Sequence, residues 1–174
     1  MTLKFALLLA AVTGFGIATG AEARNPLPTS SDTLKRYGDV DGWTVYKVVN
    51  RGDCLIVADF DGGRGAVQMG VTDDDGLVGY MGIFSKRNFG VVDGRESPIV
   101  ISIDGRIYDG VSTGLSGHIK GSFSGGYIET TPLFVRDVAK RYKMTVFPDT
   151  AAAFEVDLKG TYKAMQMARK CFRS

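Results

Sequence analysis

Histidine, tryptophan and cysteine are almost missing from this chain of 174 residues, which holds one His, one Trp and two Cys. A zinc site takes three or four ligands from Cys, His and carboxylates, so this inventory argues against a nitrogen- and sulfur-liganded metal. The two cysteines, Cys54 and Cys171, lie far apart. That excludes the close Cys-x-x-Cys spacing of a dithiol redox site. Excess charge of one sign is missing too: 21 Lys and Arg stand against 19 Asp and Glu, for a net charge of +2. A nucleic-acid partner is not expected at that balance. Beyond the N-terminus no apolar run approaches the ~20 residues that span a bilayer.

Glycine is abundant instead, with 23 residues, about twice its ~7% average share. The glycines follow no fixed period, so collagen and flexible linkers are excluded. Many tight turns between short strands remain.

Residues 1–23 carry the three parts of a secretory signal. Lys4 is the charged start, Phe5 to Ile17 the short apolar stretch, and Ala21-Glu22-Ala23 the small-x-small cleavage site. No cysteine follows that stretch, so a lipoprotein anchor is not expected. The single-lysine start suits bacterial export, which gives the periplasm as the expected location. An oxidising compartment makes two lone thiols a bridge, so Cys54 and Cys171 are expected to form one disulfide.

Residues 24–41 hold Pro26, Pro28 and a Thr-Ser-Ser-Asp cluster. They read as an extended lead-in with one helical turn around Asp32 to Tyr37. Residues 42–174 read as a single β-rich domain. Asp-Gly pairs at Asp41, Asp61, Asp75, Asp93, Asp104 and Asp109 mark hairpin turns that need positive φ. Between them lie β-branched and aromatic runs: Trp43–Val49, Cys54–Phe60, Ala66–Val71, Leu77–Phe84, Phe89–Val92, Ile99–Ile103 and Ile107–Val111. His118–Phe123, Tyr127–Thr130, Met144–Phe147 and Phe154–Leu158 add further strands. Thr131-Pro132 opens a helix as N-cap and first residue. Gly160-Thr161 opens a final helix that places Ala164, Met165, Ala168 and Cys171 on one face. The expected fold is all-β or β-dominated α+β: an antiparallel sandwich or barrel with two C-terminal helices and one disulfide.

The chemistry-bearing motifs are sparse. Ser116 and His118 in Gly114-Leu115-Ser116-Gly117-His118 lack the Gly-x-Ser-x-Gly elbow. Asp73-Asp74-Asp75 and Asp59-x-Asp61 do not match an EF-hand loop. Gly62-Gly63-Arg64-Gly65 lacks phosphate-loop spacing. A carboxylate pair stays open, because spatial pairing is invisible in a sequence. No cofactor or metal is expected. Arg136, Lys140 and Lys143 fall on one face of the penultimate helix and, with Trp43, are candidate partner contacts. Tyr80, Phe84 and Phe89 are aromatic candidates whose default role is core.

Gly42-Trp43-Thr44-Val45, then Cys54, then Phe154-x-Val156-x-Leu158-Lys159-Gly160-x-x-x-Ala164 resembles the invasion-associated locus B family of small exported bacterial proteins. Tyr46 stands where that family often has a further cysteine. The resemblance covers the two ends of the chain and implies a β-rich envelope protein without a catalytic residue. The expected function is a non-enzymatic periplasmic protein that binds an envelope component or another protein. An inhibitor or immunity-type protein against a secreted enzyme is the first alternative. A small hydrolase built on Ser116, His118 or a carboxylate pair is the second.

Overall fold

A computed structural model describes residues 26–71, 78–118 and 124–174. The expected signal sequence and the Asp73-Asp74-Asp75-Gly76 run lie outside the described residues. Among the described residues ten strands form one antiparallel sheet: β1 Leu34–Val40, β2 Trp43–Val48, β3 Asp53–Phe60, β4 Gly65–Val71, β5 Val78–Ser85, β6 Glu96–Ile103, β7 Arg106–Leu115, β8 Ser124–Glu129, β9 Lys143–Val146 and β10 Phe154–Asp157. Helices α1 (Pro132–Lys140) and α2 (Thr161–Phe172) complete the β-dominated α+β fold. The strand order is β1-β2-β3-β4-β5-β8-β7-β6-β9-β10.

The sheet curls on itself. Phe60 on β3 stacks on Phe154 on β10, with ring centroids 5.3 Å apart, although seven places separate those strands in the sheet order. One buried cluster therefore draws on both halves of the sheet, including Val45, Ile56, Val67, Met81, Ile101, Val146 and Val156, together with α1 and α2. β6 shows why: Ile99, Ile101 and Ile103 are buried while Val100 is exposed, the period of two expected of a strand with one face inward. β4 is covered on both faces. On its outer side Gln68 donates to the Tyr80 hydroxyl at 2.7 Å, and Leu27 packs with Tyr80 and Phe84 in a second cluster.

The lead-in departs from expectation. Leu34–Val40 is a strand paired with β2, so the sheet starts before residue 42 and no helical turn forms at Asp32–Tyr37. Cross-strand hydrogen bonds to β2 outweigh the local turn tendency of Ser and Asp. Before β1, Arg51 ties the chain down through the Leu27 carbonyl at 2.9 Å and the Asp32 carboxylate at 3.4 Å. The Phe89–Val92 run is not a strand either: Gly90 at φ 69° interrupts extension, and the segment crosses the sheet as a strap. Asp109-Gly110 lies within β7 rather than in a turn, whereas Asp41-Gly42 and Asp104-Gly105 both have positive φ at each residue, as a type I′ hairpin requires.

α2 seals the curl. Thr161, Ala164, Met165, Ala168 and Cys171 are its buried residues, and they face β2 and β3. Cys171 is joined to Cys54 on β3 with Cα atoms 6.2 Å apart, so the expected disulfide is formed. Gly160 begins the helix at φ 84°, and a Cβ there would meet the Asp41 carbonyl oxygen at 2.8 Å. Only glycine admits that approach of the β1–β2 turn. α1 begins as expected: the Thr131 hydroxyl accepts from the Phe134 N–H at 3.3 Å, with Pro132 at its first position.

Candidate functional site

The concave side of β5, β8, β7, β6 and β9 does not fill completely. It leaves a pocket of about 300 Å³. Alternation sets its wall: Met81, Ile83 and Ser85 from β5, Ser124 and Ile128 from β8, Ser112 and Gly114 from β7, Ser97 and Ile99 from β6, and Val146 from β9. Ile83 and Ile128 are only half-buried although they sit mid-sheet, because the space in front of them is open.

The strap, residues 88–95, roofs one end. The Phe89 N–H donates to the Ser124 hydroxyl at 2.8 Å, and the Phe89 ring lies 6.4 Å from Phe154, which in turn stacks on Phe60. The Gly94 N–H donates to the Gly114 carbonyl and the Gly114 N–H to the Arg95 carbonyl, both at 2.9 Å. A Cβ on Gly114 would fall 2.5 Å from the Val92 carbonyl oxygen, so glycine is what lets the strap lie flat on β7. The Ser116 hydroxyl donates to Asp93 at 3.0 Å, and the Ser116 N–H also donates to Asp93.

That last contact gives Ser116 a structural task. Its hydroxyl is turned to Asp93, not to His118, which stacks on Phe84 at 4.9 Å. Burial lowers the His118 pKa, so its ring is neutral at pH 7. The serine–histidine pair thus does not come together as nucleophile and base. No carboxylate lines the pocket among the described residues. Asp61 is engaged by Arg64 and Arg87.

The partner candidates separate. Trp43 is 1% exposed, and its indole N–H donates to the Lys159 carbonyl at 2.9 Å; it is a core residue, not a contact surface. Its flat apolar ring fills the corner where the β1–β2 turn meets α2. Tyr80 and Phe84 are likewise buried, and Phe89 alone of the three aromatics is exposed. α1 stops at Lys140, so Lys143 does not share its face: it begins β9 and pairs with Glu155 at 2.7 Å. Arg136 and Lys140 remain exposed on α1.

Beside them sits a charge cluster the sequence did not disclose. Asp137 is 4% exposed. It accepts the Tyr108 hydroxyl at 2.7 Å and faces Arg106 at 3.0 Å, Arg141 at 3.4 Å and Arg136 at 3.7 Å. The Tyr108 hydrogen bond, aided by the guanidinium groups, lowers the Asp137 pKa. Three arginines share one carboxylate, so the surface here stays positive.

No helix among the described residues is long and apolar enough to cross a membrane. No protein-family model and no curated protein matches the chain. A similar solved structure is the crystal structure of invasion associated protein B from Bartonella henselae. It aligns over 82% of this chain and 99% of that one with a TM-score of 0.54 and 12% identity. The likeness is one of fold. The resemblance read from the two ends of the sequence is therefore met at the level of architecture.

Proposed function

We propose that this protein is an exported, non-enzymatic binding protein that holds an apolar envelope component in the pocket of its curled sheet. One observation carries the reading: a pocket of about 300 Å³ walled mainly by Met81, Ile83, Phe89, Ile99, Ile128 and Val146. Apolar concavities of this size with a few convergent polar groups are what small-ligand sites are made of. The covalent tie between α2 and β3 suits an oxidising compartment outside the cytoplasm, which supports the periplasm as the place of work. Arg136 and Lys140, with Arg106 and Arg141 beside them, give the exposed side of α1 a positive character, which favours an anionic surface as its neighbour.

The test is binding of a neutral, environment-sensitive apolar fluorophore, N-phenyl-1-naphthylamine. The folded protein should enhance its emission at a stoichiometry of one. Ile83→Trp, which fills the pocket from mid-sheet, should abolish the enhancement while far-UV circular dichroism stays unchanged. Absence of any enhancement with the folded wild-type protein would refute the pocket reading.

A further inference from the structure

The pocket wall is chemically lopsided. Among the described residues Arg95 is its one charged residue. Arg95 is exposed at the end of the strap and forms no ion pair with any described residue. Ser85 and Ser124 face one another directly across β5 and β8 at the same end of the pocket. Both are buried, at 9% and 1% exposure.

Each of these hydroxyls already accepts a backbone N–H. Ser85 takes that of Arg87 at 3.1 Å, and Ser124 that of Phe89 at 2.8 Å. A hydroxyl that accepts still has its own proton to give. Neither proton finds an acceptor among the described residues. A buried donor left without an acceptor is costly, so such groups mark the place where something else supplies an oxygen. The register puts Arg95 beside Gly114 at the same end of the sheet as Ser85 and Ser124, so the pocket lining there offers one cation and two unspent donors, while Asp93 of the strap lies outside the lining and is held by Ser116. The wall beyond that end is apolar at Ile83, Ile99, Ile128 and Val146, and its Ser112 hydroxyl is already spent on the Ser97 carbonyl at 3.2 Å.

We infer that the ligand is a single-chain amphiphile with an anionic oxygen head group, its head at Ser85, Ser124 and Arg95 and its chain along Ile83, Ile128 and Val146. This rests on the proposed pocket reading and adds the class of ligand to it. The volume has room for on the order of ten water-sized groups, which sets the chain at about ten carbons. Charge-assisted hydrogen bonds from Arg95 to the head are roughly twice as strong as neutral ones, so the anion is preferred to a neutral alcohol of the same length.

Titration calorimetry of the whole protein with decanoate, decanol and decyltrimethylammonium tests this. Decanoate should bind at least about tenfold more tightly than decanol, and the ammonium compound more weakly than either. Arg95→Gln, at an exposed position where folding is not at stake, should bring decanoate down to the decanol affinity; Arg95→Lys should restore part of the difference. Ile83→Trp should remove binding of all three, and Ile128→Phe on the neighbouring strand serves as the second blocker where Ile83→Trp does not fold. Equal affinities for decanoate and decanol, both lost on blocking, overturn the anionic head while leaving the pocket in place. Decanoate binding that survives both blockers overturns the site altogether, and preference for the ammonium compound overturns the anionic head.

Discussion

Reduction of the Cys54–Cys171 bridge should remove a large share of this protein's stability, by an amount that follows from the length of the loop it closes. The bridged residues are 117 positions apart. Closing a loop of that length removes about 16 cal/mol/K of entropy from the unfolded chain, or about 5 kcal/mol at 25 °C in the chain-entropy model. Domains are commonly stable by about 5–15 kcal/mol in total, so one bond carries between a third and all of the margin. The tie is also placed where the fold depends on it: both cysteines are essentially inaccessible, at 1% and 0% exposure, and α2 covers β2 and β3 at the position where the curled sheet needs its seal. The assay is urea unfolding followed by tryptophan fluorescence, with and without a thiol reductant. Trp43 lies in the core beside α2 and reports on that region. With a slope of about 2 kcal/mol/M, reduction should lower the midpoint by roughly 2–3 M; in thermal melts it should lower Tm by roughly 10–20 °C. Cys54→Ala with Cys171→Ala should follow the reduced protein and add a small loss from the vacated volume. Thiol titration of the denatured, unreduced protein should give none, and two after reduction. Oxidised and reduced forms that unfold within about 1 kcal/mol of each other would refute the idea that the bridge is the staple of this fold.

Gly114→Ala should cost about 1–3 kcal/mol through overpacking against the Val92 carbonyl, and should raise proteolysis in the strap; Gly110→Ala on the same strand, with no atom within 4 Å, should be close to neutral in the same urea assay. Acid should destabilise the protein in a defined direction. The Thr29 backbone N–H, with Asn50 and Arg51, holds the Asp32 pKa at about 2, and Tyr108 with its neighbouring arginines lowers that of Asp137. Both folded values lie below the unfolded ~3.9, so the stability they add is present above that pH and is lost as pH falls toward 2. Urea midpoints measured from pH 6 to pH 2.5 should drop, and Asp32→Asn with Asp137→Asn should flatten the slope. At the alkaline end burial pushes the Tyr80 pKa up to about 12 despite the Gln68 hydrogen bond. That stability is intact below about pH 10 and lost as pH rises toward 12. Absorbance at 295 nm should show a late tyrosine step that Tyr80→Phe removes.

The elements that local chemistry determines were legible in the sequence. The Asp104-Gly105 hairpin, the Thr131-Pro132 helix start and the apolar face of α2 need only nearest neighbours and periodicity, and the structure has all three. The disulfide was legible because the expected oxidising compartment and the wide spacing of the two thiols both point to a bridge. What local chemistry misread was decided by tertiary contact. Leu34–Val40 reads as a lead-in by composition and becomes a strand because β2 offers it a ladder. Lys143 fits a helical face by spacing, yet the helix stops at Lys140 and Glu155 claims it across β9 and β10. Trp43 could have been a contact residue or a core residue on sequence alone; the turn that brings Gly160 against Asp41 decides for core.

The pocket belongs to a third class, for which no signal exists along the chain. Ile83, Ile99, Ile128 and Val146 look like any inward-facing strand residues, and nothing in their spacing tells filled from unfilled space. The void arises from the curl, which is a property of ten strands together, and from small residues at Ser85, Ser97, Ser112 and Ser124, which shorten the inner surface without breaking its alternation. Such serines are ordinary on a solvated face. Ser85 and Ser124 become informative only once burial is known, because a buried hydroxyl whose proton has no acceptor among the described residues calls for one from elsewhere. The end of the pocket at Ser85 and Ser124, and not its apolar wall, is therefore where the proposed ligand's head group would be told from others.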